Sequence, residues 1–370
     1  MKMQYNPIVK LFCELVSIPS PSGHERNVGI AIQKRLKAMG IASHFDDSGK
    51  KNGSNSGNLI AKVKGTKDTT VMLVCHMDTV EDGSRRIITR VKKGVISSDG
   101  DTILGADNKA SVACAIIALG EAMSLPVRPN VTCVFSTREE SGIMGARCID
   151  SRDKVDYAFI FDGEGPLGAF MESALGYLPF EIHLKGKAVH AAYNPGQGAN
   201  AVKAAGIMIS RLKLGKDSNG GTLNVGLISG GTKVNVVPED VSMSGEIRAF
   251  TNSEIERKVR EVERLAKESC KLTGCKYELV LKRDNFSPPF SAKKGAPIIS
   301  VARKAAMAAK LPFELRSLRA TSEVNSLSLK YGSVLGVYRG GSAPHSKSER
   351  IGIKELSDLK SLMLELIKNC

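Results

Sequence analysis

Histidine and carboxylate side chains follow or adjoin apolar, β-rich runs at five places in the sequence. These are residues 74–80 with His76 and Asp78, 105–110 with Asp107, 136–142 with Glu139 and Glu140, 159–164 with Asp162, and 340–346 with His345. Imidazole nitrogens and carboxylate oxygens are ligands that Zn²⁺ accepts in catalytic sites. Each segment alone also fits a polar turn or a helix cap, but together the five predict a metal site.

The local spacing of these residues adds detail to the predicted site. In an extended segment His76 and Asp78 point to the same side, so the carboxylate can orient the imidazole of a metal ligand. Adjacent carboxylates such as Glu139 and Glu140 repel each other unless a cation lies nearby. Their side chains diverge, so we expect one to bind metal while the other faces a bound water.

Alternating elements around these segments predict the scaffold. Helices are expected at 7–16, 27–39 and 110–123, and short apolar strands at 59–63, 71–75, 131–135 and 157–161. Such runs are typical of buried strands in a largely parallel sheet, which indicates an α/β layer architecture. Open α/β sheets bind ligands at the carboxyl ends of their strands. We therefore expect the five segments to meet there.

The pattern changes near residue 177. Strands at 180–184, 222–227, 241–250 and 277–281 alternate with helices at 200–212 and 251–270, the last with a Thr251-x-x-Glu254 capping box. This β-α-β-β-α-β order predicts a ferredoxin-like unit. A helix at 297–311, a strand at 334–337 and a helix at 353–367 then resume the α/β pattern. We expect a catalytic domain of residues 1–176 and 288–370, interrupted by a lid and dimerisation domain at 177–287.

Composition narrows the function classes. The chain has 370 residues, 42% hydrophobic and 25% charged, as in ordinary soluble domains, and lacks an apolar run long enough for a membrane span. Its eight cysteines form no Cys-x-x-Cys pair. Without a secretory segment, a cytoplasmic location is expected. The net charge of +15 comes from scattered Lys and Arg without Trp, which favours a solvated basic surface over nucleic-acid binding.

At these residues the chain resembles the co-catalytic zinc aminopeptidases and deacylases grouped with peptidase T, carboxypeptidase G and aminoacylase. The resemblance covers nearly the whole chain and includes residues 17–25, Ser-Ile-Pro-Ser-Pro-Ser-Gly-His-Glu, near its start. Segments 103–110 and 139–146 look most like the peptidase T branch. The same α/β domain with an inserted lid is the fold that the resemblance implies.

The resemblance implies a role for each predicted site residue. His76 and Asp162 would bind one zinc, Glu140 and His345 the other, and Asp107 would bridge both, with a cis peptide to Asn108; Asp78 would hold His76, and Glu139 would be the general base. The native metal could also be cobalt or manganese. Two Zn²⁺ and three carboxylate ligands leave one positive charge for a bridging hydroxide. Glu139 would take the proton of the bridging water and pass it to the leaving amine, and the hydroxide that remains would attack the amide carbon.

The resemblance also assigns substrate contacts to the lid. His190 would reach the active site of a neighbouring subunit and stabilise the oxyanion, which implies a homodimer. Asn235 and Arg248 would contact the substrate, with Arg248 as the anchor for a peptide carboxylate. A locally bonded histidine and a surface arginine are the alternatives. Two segments depart from the family pattern: 194–198 lacks the usual acidic residue, and 319–325 replaces a Gly-Gly-Ser/Thr-Asp loop.

The sequence therefore predicts a two-zinc metallopeptidase that hydrolyses the N-terminal amide bond of short peptides. An N-acyl-amino-acid deacylase or a carboxypeptidase-like amidohydrolase on the same scaffold is the alternative. A non-catalytic, polyanion-binding protein is a third hypothesis, against which the complete ligand set and Glu139 argue. The expected partners are a short peptide and a second copy of the chain, with neither nucleic acid nor membrane.

Overall fold

The computed structural model describes residues 6–150 and 154–370, which form two compact units. The first unit comprises the described parts of 1–172, 292–318 and 322–370, and the second comprises 173–291 and 319–321. The insertion predicted at 177–287 lies within the second unit.

Helices and strands alternate along the chain. The helices are Pro7–Val16 (α1), Arg26–Ala38 (α2), Ser48–Asn52 (α3), Ala106–Met123 (α4), Met144–Cys148 (α5), Ala201–Arg211 (α6), Asn252–Thr273 (α7), Pro297–Ala308 (α8), Glu323–Leu327 (α9) and Ile353–Asn369 (α10). The strands are Ala42–Phe45 (β1), Leu59–Val63 (β2), Thr70–His76 (β3), Thr89–Lys92 (β4), Val95–Ser98 (β5), Asn130–Ser136 (β6), Tyr157–Phe161 (β7), Ala169–Ala174 (β8), Gly176–Lys185 (β9), Gly215–Lys216 (β10), Thr222–Gly230 (β11), Asp240–Ala249 (β12), Lys276–Leu281 (β13), Phe290–Ser291 (β14), Glu314–Leu318 (β15), Val334–Val337 (β16) and Arg350–Gly352 (β17).

The long helices form where the sequence pattern predicts them. At the start of α1, the Asn6 side chain accepts a hydrogen bond from the Ile8 N–H, and Pro7 occupies the first turn, where it costs no hydrogen bond. Helix α4 is buried on nearly all sides because it packs against α1, α2, α10 and the sheet. That burial explains its continuous apolar sequence, and it fixes the end of the helix that carries Asp107.

The main sheet has the order β1-β2-β6-β3-β7-β16-β8-β14, and β15 also pairs with β8. The four central strands, β6-β3-β7-β16, are mutually parallel, whereas β1, β2 and β8 pair antiparallel with their neighbours. The expectation of a largely parallel sheet is therefore correct for the centre and wrong for the edges. The edge strand β1 and the inner strand β8 escaped prediction; β1 is short and alternates between exposed and half-buried positions.

The parallel register brings the carboxyl ends of the central strands to one level. His76, the last residue of β3, pairs with Ser136, the last residue of β6. On the other side of β3, Val74 pairs with Ile160 of β7, and Phe161 pairs with Val337 of β16. The loops that follow these strands consequently leave the sheet side by side.

The second unit has the predicted ferredoxin-like topology. Its elements follow the order β9-α6-β11-β12-α7-β13, and its antiparallel sheet has the order β11-β12-β9-β13, with the short β10 outside β11. Apolar residues of α6 and α7, among them Met208, Val262 and Cys270, share one core with the sheet. The predicted fold class, an α/β domain carrying an inserted ferredoxin-like unit, is confirmed.

Within the described ranges, no helix combines the length and the apolar character that a membrane crossing requires.

The cap of α7 provides a test of the second unit. The Thr251 hydroxyl accepts a hydrogen bond from the Glu254 N–H at 3.2 Å, as the capping-box prediction requires, while the Glu254 carboxylate accepts from the same hydroxyl. Thr251→Ala should lower the free energy of unfolding of this unit by about 1 kcal/mol. Urea denaturation, with hydrogen exchange at the first turn of α7, measures the effect. Thr251→Ser keeps the hydroxyl and should retain most of the stability; equal losses in both variants would contradict the capping role.

Candidate metal centre

All five predicted metal ligands meet at the carboxyl edge of the parallel strands. His76 ends β3, Glu140 lies in the loop after β6, Asp162 follows β7, and His345 lies in the loop after β16. Asp107 comes from the other direction, at the start of α4. The structure thus brings together side chains that are far apart in the sequence.

Two sets of potential ligands share Asp107. His76, Asp107 and Asp162 form a buried set, and Asp107, Glu140 and His345 form a second set; within each, one ligand atom per residue lies within 4.8 Å of the others. His345 is 49% exposed, so the second set is open to solvent. One carboxylate common to two adjacent sets is the arrangement needed to hold a pair of ions. The general-base candidate Glu139 forms a third set with His76 and Glu140.

Unsatisfied buried atoms at this site favour cation binding. His76 Nε2 and Asp107 Oδ1 lie 3.3 Å apart, and neither has an aligned hydrogen-bond partner among the described residues. Buried polar atoms without partners are costly, and native proteins rarely retain them. A divalent cation between the nitrogen and the oxygen would satisfy both, so the residues present fit a metal ion.

Asp78 connects the His76 ring to the Glu139–Glu140 loop. His76 Nδ1 lies 3.1 Å from the Asp78 carbonyl oxygen and 3.4 Å from its Oδ1, which leaves Nε2 facing Asp107. The Asp78 carboxylate accepts hydrogen bonds from the backbone N–H groups of Glu139 and Glu140, at 3.0 and 3.1 Å, and from the Ser22 hydroxyl at 2.5 Å. One buried carboxylate therefore orients a ligand and fixes the loop that carries two further acids.

Asp107 is held through its backbone. Gly105 has a φ of 71°, a left-handed conformation suited to glycine, and the Asp107–Asn108 peptide is cis, as the family resemblance implies. The buried Glu349 carboxylate accepts the N–H groups of Leu104, Gly105 and Asp107 at 2.9, 2.7 and 2.9 Å. Sequence reasoning missed Glu349, since nothing in its polar neighbourhood indicates a partner 242 residues earlier.

The electrostatics of the metal-free site reflect an excess of buried carboxylates. Burial raises the pKa of Glu139 well above its usual range, and the charge of Asp162 adds to the effect. Burial likewise raises the pKa of Asp162, with a further contribution from Asp107. The carboxylates of Asp107 and Glu140 raise the pKa of His345 to about 10. A metal ion that binds here must therefore displace protons from the site.

Two further charged side chains at the site were not found from the sequence. Arg339 is buried in the loop after β16, and its Nη2 lies 3.0 Å from Asp107 Oδ2. Glu323 is buried in the segment that departs from the family pattern, and burial raises its pKa to about 7. The neighbouring Ser322 N–H donates to Asn325 Oδ1 at 2.9 Å at the start of α9. A charged residue in a loop ordinarily predicts exposure, so no sequence signal marked either side chain.

The predicted substrate contacts lie in the second unit. His190 and Asn235 are exposed neighbours: His190 bridges to Val236, and the Asn235 carbonyl accepts the Ala191 N–H at 2.9 Å. His190 Nδ1 accepts the Ala192 N–H at 3.2 Å, and its ring centroid lies 4.5 Å from that of Tyr193.

Arg248 is engaged within the second unit. Its Nε and Nη2 donate to the two carboxylate oxygens of Glu246 at 2.9 and 3.2 Å, and its guanidinium lies 4.8 Å from the centroid of the Tyr177 ring. A substrate carboxylate would have to compete with Glu246 for this side chain.

Comparisons with known proteins agree with this geometry. Residues 174–273 match the model of a peptidase dimerisation domain, and residues 58–197 match that of peptidase family M28. An uncharacterised protein of Bacillus subtilis, YqjE, is 29% identical over 98% of this chain and 97% of its own length.

Two solved structures are similar over almost the entire chain. The aminopeptidase PepT of Bacillus cereus has a TM-score of 0.91 at 28% identity, with 98% of both chains covered. A tripeptidase of Staphylococcus aureus has a TM-score of 0.91 at 27% identity, covering 98% of this chain and 97% of its own.

Replacing Glu349, whose carboxylate accepts the Asp107 N–H, tests whether this hydrogen bonding positions Asp107 for metal binding. Glu349→Gln keeps one acceptor oxygen but turns an amide N–H₂ toward the backbone donors. We expect divalent-metal affinity to fall roughly 10–100-fold, as for other residues that orient ligands, and the free energy of unfolding to fall by about 1–3 kcal/mol. Metal-buffer titration and urea denaturation measure the two effects. Glu263→Gln, at an exposed position of α7, is the control; unchanged metal affinity in Glu349→Gln would remove its positioning role.

Proposed function

We propose that this protein, a member of the peptidase T-like metallopeptidases, uses two zinc ions to hydrolyse the N-terminal amide bond of short peptides. The similarity to the PepT and tripeptidase structures, near 28% identity over the whole chain, confirms the family resemblance and the peptidase class. The number and identity of the metal ions and the peptide length are our proposal.

The observation that carries the proposal is the shared position of Asp107. One set of ligands lies on its His76 side and the other on its His345 side. We assign His76 and Asp162 to the first ion, Glu140 and His345 to the second, and Asp107 to both. The nitrogen and oxygen donors suit Zn²⁺, with Co²⁺ or Mn²⁺ as substitutes. When bound, such a pair lowers the pKa of a water toward ~7 and polarises the scissile carbonyl.

Glu139 is our candidate for proton transfer. Its carboxylate lies in one set with His76 and Glu140, so it borders the ligands without being needed to complete either ion's set. Its backbone N–H is fixed by Asp78 Oδ1, which limits the movement of the side chain. In this position a carboxylate can take the proton of the attacking water and deliver it to the leaving amine.

The second unit supplies our proposed substrate contacts and subunit interface. Its match to a peptidase dimerisation domain supports a homodimer formed through residues 177–287. In that dimer His190 of each subunit would stabilise the oxyanion in its neighbour's site, with Asn235 beside it. Arg248 would anchor a substrate carboxylate by exchanging Glu246 for the peptide terminus. The eight unpaired cysteines agree with a reducing, cytoplasmic location.

A substrate panel tests the reaction. We expect hydrolysis of tripeptides with a free amino terminus, loss of activity after chelation, and recovery on adding zinc. N-acetylated tripeptides should resist cleavage if the free amine is recognised. Liquid chromatography of the products identifies the bond that is cut. Faster turnover of N-acyl amino acids would instead establish the deacylase alternative, and cleavage that persists after complete metal removal would contradict a metal mechanism.

Substitutions separate metal binding from proton transfer. Glu139→Gln should retain zinc but lose roughly a hundredfold or more in kcat, because the base is removed while both ligand sets remain. His76→Ala should lose zinc, measured by elemental analysis. His183→Ala, a partly exposed histidine of β9, serves as the control. Full activity of Glu139→Gln would eliminate Glu139 as the base, and unchanged metal content in His76→Ala would contradict its assignment.

A further inference from the structure

Arg339 is a charged side chain inside the metal centre that the proposed reaction does not use. The side chain is 1% exposed, and its Nη2 lies 3.0 Å from Asp107 Oδ2. Its Nη1 donates to the neighbouring Gly340 carbonyl at 3.1 Å. A guanidinium is not deprotonated in proteins, and two carboxylates, those of Asp107 and Glu349, interact with this one, so the group is a permanent cation.

The arginine contacts one particular oxygen of the shared carboxylate. Asp107 Oδ1 faces His76 Nε2 at 3.3 Å, whereas Oδ2 faces His345 Nε2 at 3.5 Å. Arg339 therefore contacts the oxygen on the side of Glu140 and His345. This is also the solvent-exposed side, where His345 is half exposed.

We propose that Arg339 acts as a fixed counter-cation of Asp107 that makes the two metal ions bind with unequal affinity, tightly at His76 and Asp162 and weakly at Glu140 and His345. The proposal rests on the two-metal function above. In the metal-free protein Arg339 neutralises part of the buried carboxylate charge. Glu140 and His345 would hold the second ion on the side of Asp107 that this guanidinium contacts.

Electrostatics sets the direction of the effect. A monovalent cation and a divalent ion that share a carboxylate oxygen repel each other, and burial leaves that repulsion only weakly screened by salt. The negative charge that Asp107 offers to the second ion is partly neutralised by Arg339. Both effects weaken binding on the His345 side more than on the His76 side.

A positional role would have the opposite consequence. If Arg339 mainly oriented Asp107, its removal would weaken metal binding, as loss of an orienting residue usually does. Asp107, however, is already fixed by the Glu349 carboxylate through its own N–H and those of Leu104 and Gly105. Because backbone hydrogen bonds already hold Asp107, removing the positive charge of Arg339 should strengthen metal binding more than the loss of its contact with Asp107 weakens it.

The experiment compares Arg339→Met, which removes the charge, with Arg339→Lys, which keeps it. Proteins expressed with zinc are stripped with a chelator and titrated with zinc against a competing chromophoric chelator, which yields both dissociation constants. We expect unequal constants in the unmodified protein and a second ion bound roughly tenfold or more tightly in Arg339→Met, because the repulsion between two nearby cations is removed. Arg339→Lys should stay within about threefold of the unmodified protein, because its charge remains near Asp107.

Thermal unfolding gives an independent readout. Without its counter-cation, metal-free Arg339→Met should melt at a lower temperature than the unmodified protein, and its stabilisation by zinc should be larger. Arg339→Gln, which retains hydrogen-bonding capacity, should also show a lower melting temperature without metal and a larger stabilisation by zinc. It replaces Arg339→Met if that variant does not fold.

Each outcome bears on a different claim. If the charge-removing variants bind the second ion as weakly as the unmodified protein, or more weakly, the electrostatic role of Arg339 is wrong while the two-metal site stands. If the unmodified protein binds two ions with equal affinity, the proposed asymmetry is wrong. If it does not bind a pair of ions, the proposed function fails first and the inference fails with it.

Discussion

Repulsion among buried carboxylates is the constraint on which the rest of this structure depends. Asp107, Glu139, Glu140 and Asp162 converge at one edge of a sheet, where burial raises the pKa of Glu139 and of Asp162 and the charges of neighbouring carboxylates raise both further. Such a cluster persists only if cations or hydrogen-bond donors compensate it. Three features of the site compensate the buried negative charge. They are the two ligand sets that can hold cations, the buried arginine and the backbone N–H donors.

Two buried carboxylates accept hydrogen bonds from backbone N–H groups, which offset the cost of burying their charges and fix the loops that carry these groups. Asp78 accepts the N–H groups of Glu139 and Glu140, and Glu349 accepts those that surround Asp107. Hydrogen bonds to a charged acceptor are stronger than those between neutral groups. They hold the ligand-bearing loops in place before any ion arrives, which reduces the reorganisation that binding requires. The geometry of the proposed metal site is therefore built into the protein scaffold.

The sheet explains why sequence reasoning could locate the site. Short apolar runs such as β3, β6 and β7 are buried on both faces, so their sequences are distinctive, and polar residues that follow them must lie at the strand ends. The edge strand β1 escaped prediction because it is short and alternates between exposed and half-buried positions, a pattern that resembles that of a loop. The antiparallel edges consequently appeared only in the structure.

The sequence by itself determined the positions of the long helices and central strands, the ferredoxin-like insertion and the candidate nitrogen and oxygen ligands at the ends of these elements. These features follow from local periodicity and from residue type, both of which are visible in a short stretch of the sequence. Only the tertiary structure decided that Asp107 presents different oxygens to His76 and His345, that Glu349 secures its backbone and that Arg339 lies against it. The physical reason is that these contacts join residues distant in the sequence, 242 positions apart for Asp107 and Glu349, through strand register and helix packing that no local pattern encodes.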